Sequence, residues 1–353
     1  MKKFLLSALV LAASTFAAHA IEGELSGRFT INAEGDTVHF SKGNLYYESG
    51  TSGGFFFSDK QYNTPTDGQY IGANRQYRSL FGFGTSGWNS GANAYQPMDT
   101  ISDPSNYLIG GSAENGLTGD YAYADWGIYN PIKNGGNRSG LWRVLTMDEW
   151  WYILAGRENA QNLFSMGRIK WTGDWDHVEY TYNGLILLPD NWVLPEGAKK
   201  FRPGTQDAMI YDEIDKMYRN MNLDLASTYE LNTYTPEQWA VMEAAGAVFL
   251  PADGHRKGEK YVNSGGTYGR YASSTPYSEI CASMLVFDKA WIENSWYNRS
   301  WGVSVRLVTR PDSDYQGIDN AQSHKAAKKV LRDGQVLILM DGKQLNILGA
   351  EVK

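Results

Sequence analysis

Residues 145–157 read LTMDEWWYILAGR and set Asp148 and Glu149 side by side against Trp150 and Trp151. Carboxylates among aromatics are what an acid–base enzyme uses, and they are also what a helix N-terminus uses. The spacing separates the two. Thr146 stands three residues before Glu149, the pattern of a capping box: the Thr hydroxyl accepts from the third helical amide and the Glu carboxylate reaches back to the cap amide. Asp148 falls in the first turn, where the helix dipole favours negative charge. Trp150, Ile153 and Leu154 then recur on one face as a buried stripe. The acidic pair is read as structural, and Thr146 as the start of a helix.

The same grammar returns further on. Thr235-Pro236-Glu237-Gln238-Trp239 repeats T-x-x-[E/Q]-W, with Gln238 as the reciprocal cap and Pro236 at the first helical position, where its missing N–H costs nothing. Each segment leads to a Gly, four apolar residues and a Pro: GLILLP from Gly184 and GAVFLP from Gly246. Duplication and shared helix grammar both explain the echo. Between them, residues 196–232 are a more charged insertion, in which Met209, Ile210, Ile214, Met217, Tyr218 and Met221 fall at helical spacing.

Outward from this centre the chain reads as strands and loops. GRFTINAEGDTVHFSKGNLYY, from Gly27, predicts a hairpin around Gly35-Asp36 and a second turn at Lys42-Gly43-Asn44. Residues 49–137 show no sustained period and predict a long loop ordered by aromatic anchors. After residue 266, YGRYASST, CASMLVF and WGVSVRLVT predict strands, the last two separated by a loop, DKAWIENSWYNRS. That loop carries Trp291, Trp296, Tyr297, Asn298 and Arg299. Flat apolar rings beside amide and guanidinium donors suit a sugar or a peptide, and they equally suit a loop that packs on itself. Residues 311–328 are a polar linker. The tail, 329–353, predicts three short strands split by Asp333-Gly334 and Asp341-Gly342, strong hairpin signals.

The chain has a formal charge of −7 and no basic block, so nucleic acid is not an expected partner. Residues 1–20, with Lys2-Lys3, a short apolar run and Ala18-His19-Ala20, have the form of a secretory signal peptide. The mature chain is then expected to begin near Ile21 and to be secreted or displayed on the outer surface, without membrane insertion. The single cysteine, Cys281, excludes an internal disulfide and reads as a small buried apolar residue.

Four segments taken in order carry a resemblance: LWRVLTMDEWWYIL (141–154), GAVFLPADGHR (246–256), RYASSTPYSEICASMLVF (270–287) and WGVSVRLV (301–308). They resemble the major-paralogous-domain family of exported Bacteroidetes-type proteins. FSKGNLYY (40–47) and FGFGTSGWNSGANAYQP (81–97) resemble its longer members. The resemblance implies, over residues 21–310, an α+β domain of C-type-lectin-like fold, shared with formylglycine-generating enzymes: two helices against small, mostly antiparallel sheets with long irregular loops. The insertion at 196–232 departs from the family text. The tail resembles the sorting domains that such proteins carry for type IX secretion, which implies export machinery as a partner; an extra edge hairpin on the main domain is the alternative.

Enzyme readings implied by that fold meet missing residues. The formylglycine-generating type uses two active-site cysteines, and only Cys281 exists. An iron type needs clustered histidines, whereas His39, His177, His255 and His324 are scattered without helical ligand spacing. No G-x-S-x-G, phosphate-binding loop or dinucleotide fingerprint occurs. Lectin-type calcium signatures are absent: Gln96-Pro97 is followed by Met98, Trp88-Asn89 by Ser90, and Asp190-Asn191-Trp192 has its residue types in the wrong order. No metal or cofactor is expected, and a two-carboxylate hydrolase is unsupported by any local pattern. The expectation is a non-enzymatic recognition protein that binds glycan or a surface protein through aromatic-rich loops. A structural or adhesive subunit and a diverged oxidase-like or hydrolytic enzyme are the alternatives.

Overall fold

Both capping boxes are closed by hydrogen bonds. Thr146 Oγ1 accepts from the Glu149 amide at 3.1 Å while Glu149 Oε2 accepts from the Thr146 amide at 2.8 Å. Thr235 Oγ1 accepts from the Gln238 amide at 3.3 Å, and Gln238 Oε1 accepts from the Thr235 amide at 3.0 Å. The helices that follow are Met147–Trp151, extended by a π-helical turn at Tyr152–Gly156, and Pro236–Ala244. Glu149 also receives both terminal guanidinium nitrogens of Arg143, each at 2.7 Å, so its carboxylate is held by three donor contacts within its own corner. Thr146→Ala should cost about 1–2 kcal/mol and the more exposed Thr235→Ala about 1 kcal/mol, read as a shift in the urea midpoint at unchanged slope.

This computed structural model describes residues 21–64, 77–88, 104–173, 176–207, 209–213, 215–220, 228–257, 260–262, 266–310, 328–332, 335–340 and 343–345. The expected signal peptide (1–20), residues 311–327 with His324, residues 89–103 with Asn89, Ser90 and Gln96-Pro97-Met98 of the lectin-type comparison, and Ile214 and Met221 lie outside them. Within them the chain is α+β, with most residues of regular structure in antiparallel sheets and few in helices.

Three sheets build the body. In the first, Glu24–Thr30, Thr37–Ser41, Leu307–Thr309 and Arg143–Val144 lie in that order, so the first strand of the domain and its last share one sheet. The second runs Gly269–Pro276, Cys281–Phe287, Trp291–Asn298, Met217–Asn220, Met209–Asp212. The third is a long hairpin, Phe164–Thr172 with Glu179–Leu187, flanked by Thr233–Tyr234 and Val248–Pro251. The apolar runs of the two echoing segments are neighbours here: Val248 pairs Leu187 and Pro251 pairs Gly184, antiparallel.

Three readings of the sequence need correction, on the Trp291–Arg299 segment, the Met-rich stripe and residues 49–137. The Trp291–Arg299 segment is not a loop: Trp291–Asn298 is a strand, paired residue by residue with Cys281–Phe287. Its polar–aromatic alternation is the pattern of a strand with one face part-covered. The Met-rich stripe is not helical either. Met209–Asp212 and Met217–Asn220 pair as a hairpin on the edge of that same sheet, where the β-favouring rings of Tyr211 and Tyr218 meet at 5.1 Å and 46° and the neighbouring strand supplies hydrogen bonds that a short isolated helix would lack. The turn at Lys42–Asn44 closes no hairpin: Thr37–Ser41 pairs Leu307–Thr309, whereas Leu45–Glu48 pairs Gly54–Phe57 and Tyr77–Arg78 in a separate small sheet. Residues 49–137 therefore carry strands, and a short helix at Trp126–Tyr129 capped by Asp125.

The tail strands Lys328–Arg332, Gln335–Met340 and Lys343–Leu345 form an antiparallel sheet in which Arg332 pairs Gln335 and Met340 pairs Lys343. That register leaves two residues, Asp-Gly, between each pair of strands, the spacing of a tight hairpin.

Aromatic packing fills the body. Trp126, Trp142, Trp150 and Trp239 are fully buried; Trp142 Nε1 donates to Gly135 O at 2.8 Å and Trp150 Nε1 to Ala272 O at 3.2 Å, so two of the large rings meet their polar requirement without leaving the core. The Pro236–Ala244 helix ends against the first strand, where Gly246 (φ +92°) brings its carbonyl to where a Cβ on Gly27 would stand, 2.2 Å away. Only glycine permits both the left-handed turn and that approach.

Between the sheets runs a buried polar network. Asp253 Oδ2 accepts from Asn44 Nδ2 and Ser304 Oγ, each at 2.8 Å. Tyr271 donates to Pro251 O at 2.9 Å, and Arg306, also fully buried, donates to Gln61 Oε1 at 2.8 Å. Burial pulls the Arg306 guanidinium down to about 10, with Tyr271, Glu243 and Asp253 opposing that fall, so it remains a cation at neutral pH.

Candidate functional site

Successive side chains of a strand point to opposite faces, so the pairing of Trp291–Asn298 divides the five aromatic-loop candidates rather than gathering them. Trp291 and Tyr297 share one face with Glu293 and Ser295; Trp296 and Asn298 share the other with Ile292 and Asn294. Arg299 is no surface donor. It is 2% exposed, and its guanidinium donates to the carbonyls of Ser278 (3.0 Å), Cys281 (3.1 Å), Tyr107 (3.4 Å) and Ala113 (2.7 Å). It clamps three segments of chain together. Asn298 Oδ1 accepts from Ser300 N at 3.0 Å and Ser300 Oγ at 2.7 Å, which shapes the turn after the strand.

Trp296 remains on the surface. It is 54% exposed and stacks on Tyr277, 60% exposed, at 5.7 Å between centroids with planes only 8° apart. Tyr277 was not singled out by sequence: it sits in TPYSEI, whose turn character gives no sign of a partner 19 positions downstream. The turn is rigid. The Tyr277 and Ser278 amides both donate to Cys281 O, the Cys281 amide donates to Ser278 Oγ at 3.2 Å, and Arg299 ties Ser278 O from beneath. Cys281 itself is buried in its strand. Two parallel rings, one on the fixed turn and one on the paired strand, with half-exposed Ile280 on the same turn, make a flat apolar platform whose ordering cost is already met by the fold.

The other face of the sheet carries cations between rings. Arg270 lies over Tyr268 at 5.0 Å and Tyr297 at 4.8 Å, and Lys257 over Trp301 at 4.1 Å. The His255 ring stacks on Trp301 at 4.8 Å and 23°. Burial, then Arg270 and Lys257, push the His255 imidazole down to about 4. Folded His255 stays neutral where the unfolded chain takes up a proton, so its contribution to stability is complete above pH 6.5 and is lost as pH falls toward about 4. Asp125 runs the opposite way: burial holds its carboxyl up at about 6 despite N–H bonds from Val144 and Gly127, so it loses stability as pH rises from 3.8 to about 6. Comparing His255→Phe with the parent cancels the Asp125 effect. The variant should lose less stability across the acid window, measured by chemical unfolding at several pH values; equal losses would remove His255 as a cause.

The remaining candidates are occupied by structure. Asp190 takes Arg157 at 2.9 Å and the Thr30 amide and hydroxyl at 2.7 Å each. His39 lies 3.2 Å from Glu24, and His177 holds a left-handed position (φ +54°) after the Phe164–Thr172 strand. Among the described residues no three His, Cys, Asp or Glu side chains converge as a metal would require.

Carboxylates do line one hollow. An open cleft of about 490 Å³ between the first strand and the Pro236–Ala244 helix is walled by Glu24, Asp59, Tyr62 and Glu243, among others. Burial raises the Glu243 carboxyl, against hydrogen bonds from Gln61 and Trp239 and the charges of Arg306 and Lys42. Glu243 accepts from Trp239 Nε1 at 3.1 Å, and Glu24 accepts from the Ile21 amide at 3.0 Å.

Compared with protein-family models, with curated proteins and with solved structures, the chain has no significant match. Among the described residues no helix is long and apolar enough to cross a membrane.

Proposed function

We propose that this chain is a secreted or surface-displayed recognition module, without enzymatic activity, that binds glycan through the Trp296–Tyr277 platform. One observation carries the reading: two aromatic rings, parallel and more than half exposed, are held by a paired strand (Trp296) and by a turn fixed by Arg299 and Cys281 (Tyr277). A flat apolar surface left uncovered on a loop-rich domain is the feature that a pyranose ring's C–H face complements. No metal enters the proposal.

The family resemblance joins it as a proposal of equal standing. Two capped helices against small antiparallel sheets are compatible with a C-type-lectin-like architecture and with the major-paralogous-domain family, and a leader at 1–20 and a three-stranded tail accord with export, the tail as a possible substrate of type IX machinery. Mass spectrometry of the exported protein tests this last point: a C-terminus cut between residues 311 and 328 supports sorting, and an intact Lys353 makes the tail a structural hairpin.

Two arms test the binding reading. The mature chain is applied to a glycan array and used in a pull-down of surface proteins. Glycan capture that weakens in Trp296→Ala supports it, whereas a blank array with a concentration-dependent increase in solution mass favours a structural, self-assembling subunit. A hydrolytic reading is favoured by one feature, the cleft with Glu243. Turnover of any array ligand that disappears in Glu243→Gln would overturn the non-enzymatic assignment.

A further inference from the structure

We propose that a groove between the long hairpin of the third sheet and the start of the Pro236–Ala244 helix is a second ligand site, for an anionic saccharide. The groove measures about 380 Å³, within the size range of small-ligand sites. It is separate from the Trp296–Tyr277 platform and does not depend on it.

The polar groups of its wall are mostly donors. Gln238 spends its carbonyl oxygen on the capping box, and its amide nitrogen has no protein partner among the described residues. The same holds for the indole N–H of Trp171. Tyr234 is 1% exposed with a hydroxyl that finds no partner among the described residues, and burial keeps that hydroxyl protonated. Lys170 pairs with Glu179 at 2.9 Å. Lys199 has no carboxylate partner among the described residues; it donates to Thr233 O and lies 5.8 Å from the Tyr234 ring centre. With the Thr235 hydroxyl spent on Glu237 at 2.7 Å and Lys170 on Glu179, the donors left to a ligand are the Lys199 ammonium, the Gln238 amide and the Trp171 indole, a set complementary to an oxygen-rich anion.

The aromatic side selects a sugar. Trp171 stacks with Tyr180 at 5.1 Å and Tyr182 at 5.4 Å, both at 20°, and meets Tyr62 edge-on at 5.8 Å. Of these rings Trp171 lines the groove, held in place by the others, and it offers apolar area to the C–H edge of a ring while the donors take its carboxylate and hydroxyls. An acidic peptide fits less well. It would add to the Thr233–Tyr234 edge through main-chain bonds, and Lys199 already occupies the Thr233 carbonyl.

The full mature chain is titrated by calorimetry and amide NMR with tetragalacturonate, its methyl ester, a sulfated disaccharide and hexaglutamate. The expected result is binding of the uronate or the sulfated sugar at a Kd below ~1 mM. Esterification of the uronate, Lys199→Gln and Trp171→Ala are each expected to weaken it roughly tenfold, about 1.4 kcal/mol, while Trp296→Ala leaves it unchanged. Lys199 is exposed, and Lys199→Gln keeps a side-chain donor for the Thr233 carbonyl while removing the charge, so it decides the matter should Trp171→Ala fail to fold. No binding of either anionic sugar at ~10 mM, indifference to Lys199→Gln, or equal affinity for hexaglutamate overturns the proposal. Loss in Trp296→Ala reassigns the binding to the platform.

Discussion

Asp253→Ala is expected to destabilise the domain by about 3–5 kcal/mol, the range seen when one partner of a buried charged network is removed. The carboxylate accepts from Asn44 and Ser304. Its loss takes the shorter bond from Asn44, which keeps only the Tyr271 hydroxyl oxygen at 3.2 Å, removes the acceptor of the Ser304 hydroxyl, and removes a negative group near the Arg306 cation, itself fully buried. Arg306→Met alone strands Gln61 Oε1 in part and removes a cation that Asp253 helps to offset. The double variant should therefore cost less than the sum of the two, because the charges that were unbalanced in each single variant are both gone. Guanidinium unfolding of the four proteins checks this. A loss under about 1 kcal/mol for Asp253→Ala would mean that water enters and replaces the carboxylate, and that the network does not organise the core.

The second large effect belongs to binding. Trp296→Ala should weaken glycan capture by roughly 30-fold, about 2 kcal/mol, as for a central aromatic anchor. Tyr277→Ala should have a smaller effect of about 1 kcal/mol, since it removes both contact area and the ring that orients Trp296. Neither side chain is buried, so thermal stability should change little in either variant, and that separates lost contact from lost fold. Trp296→Phe keeps a flat ring and should recover part of the affinity. Equal binding by all three variants would leave the platform without a role and move attention to the groove beside Trp171.

How much of this was legible before the tertiary structure? The two helix starts were, because a capping box is complete within four residues: Thr146 with Glu149, Thr235 with Gln238. The Gly35-Asp36 hairpin and the antiparallel pairing of the tail strands were legible for the same reason of short range. The capping role of Glu149 is therefore set locally, and the bidentate hold by Arg143 reinforces it. The site was less legible. Trp296 could be named as an exposed aromatic, but its partner Tyr277 could not. Arg299, chosen as a donor to ligand, is a buried clamp on four carbonyls. Trp171, Tyr180 and Tyr182 drew no attention, though their place on either side of a turn was the available signal.

The sequence by itself determined where helices begin, which turns are tight, that Cys281 sits in an apolar strand, and that no local motif of known catalytic chemistry is present. Each of these depends on hydrogen bonds or side-chain patterns spanning a few residues. The tertiary structure alone decided that Trp291–Asn298 is a strand, that the Met209–Asn220 stretch is a sheet-edge hairpin rather than a helix, and which aromatic rings stack face to face. Those outcomes depend on the partner strand, which lies far away in the chain, and a period of 2 or 3.6 in one segment carries no record of what the fold brings alongside it.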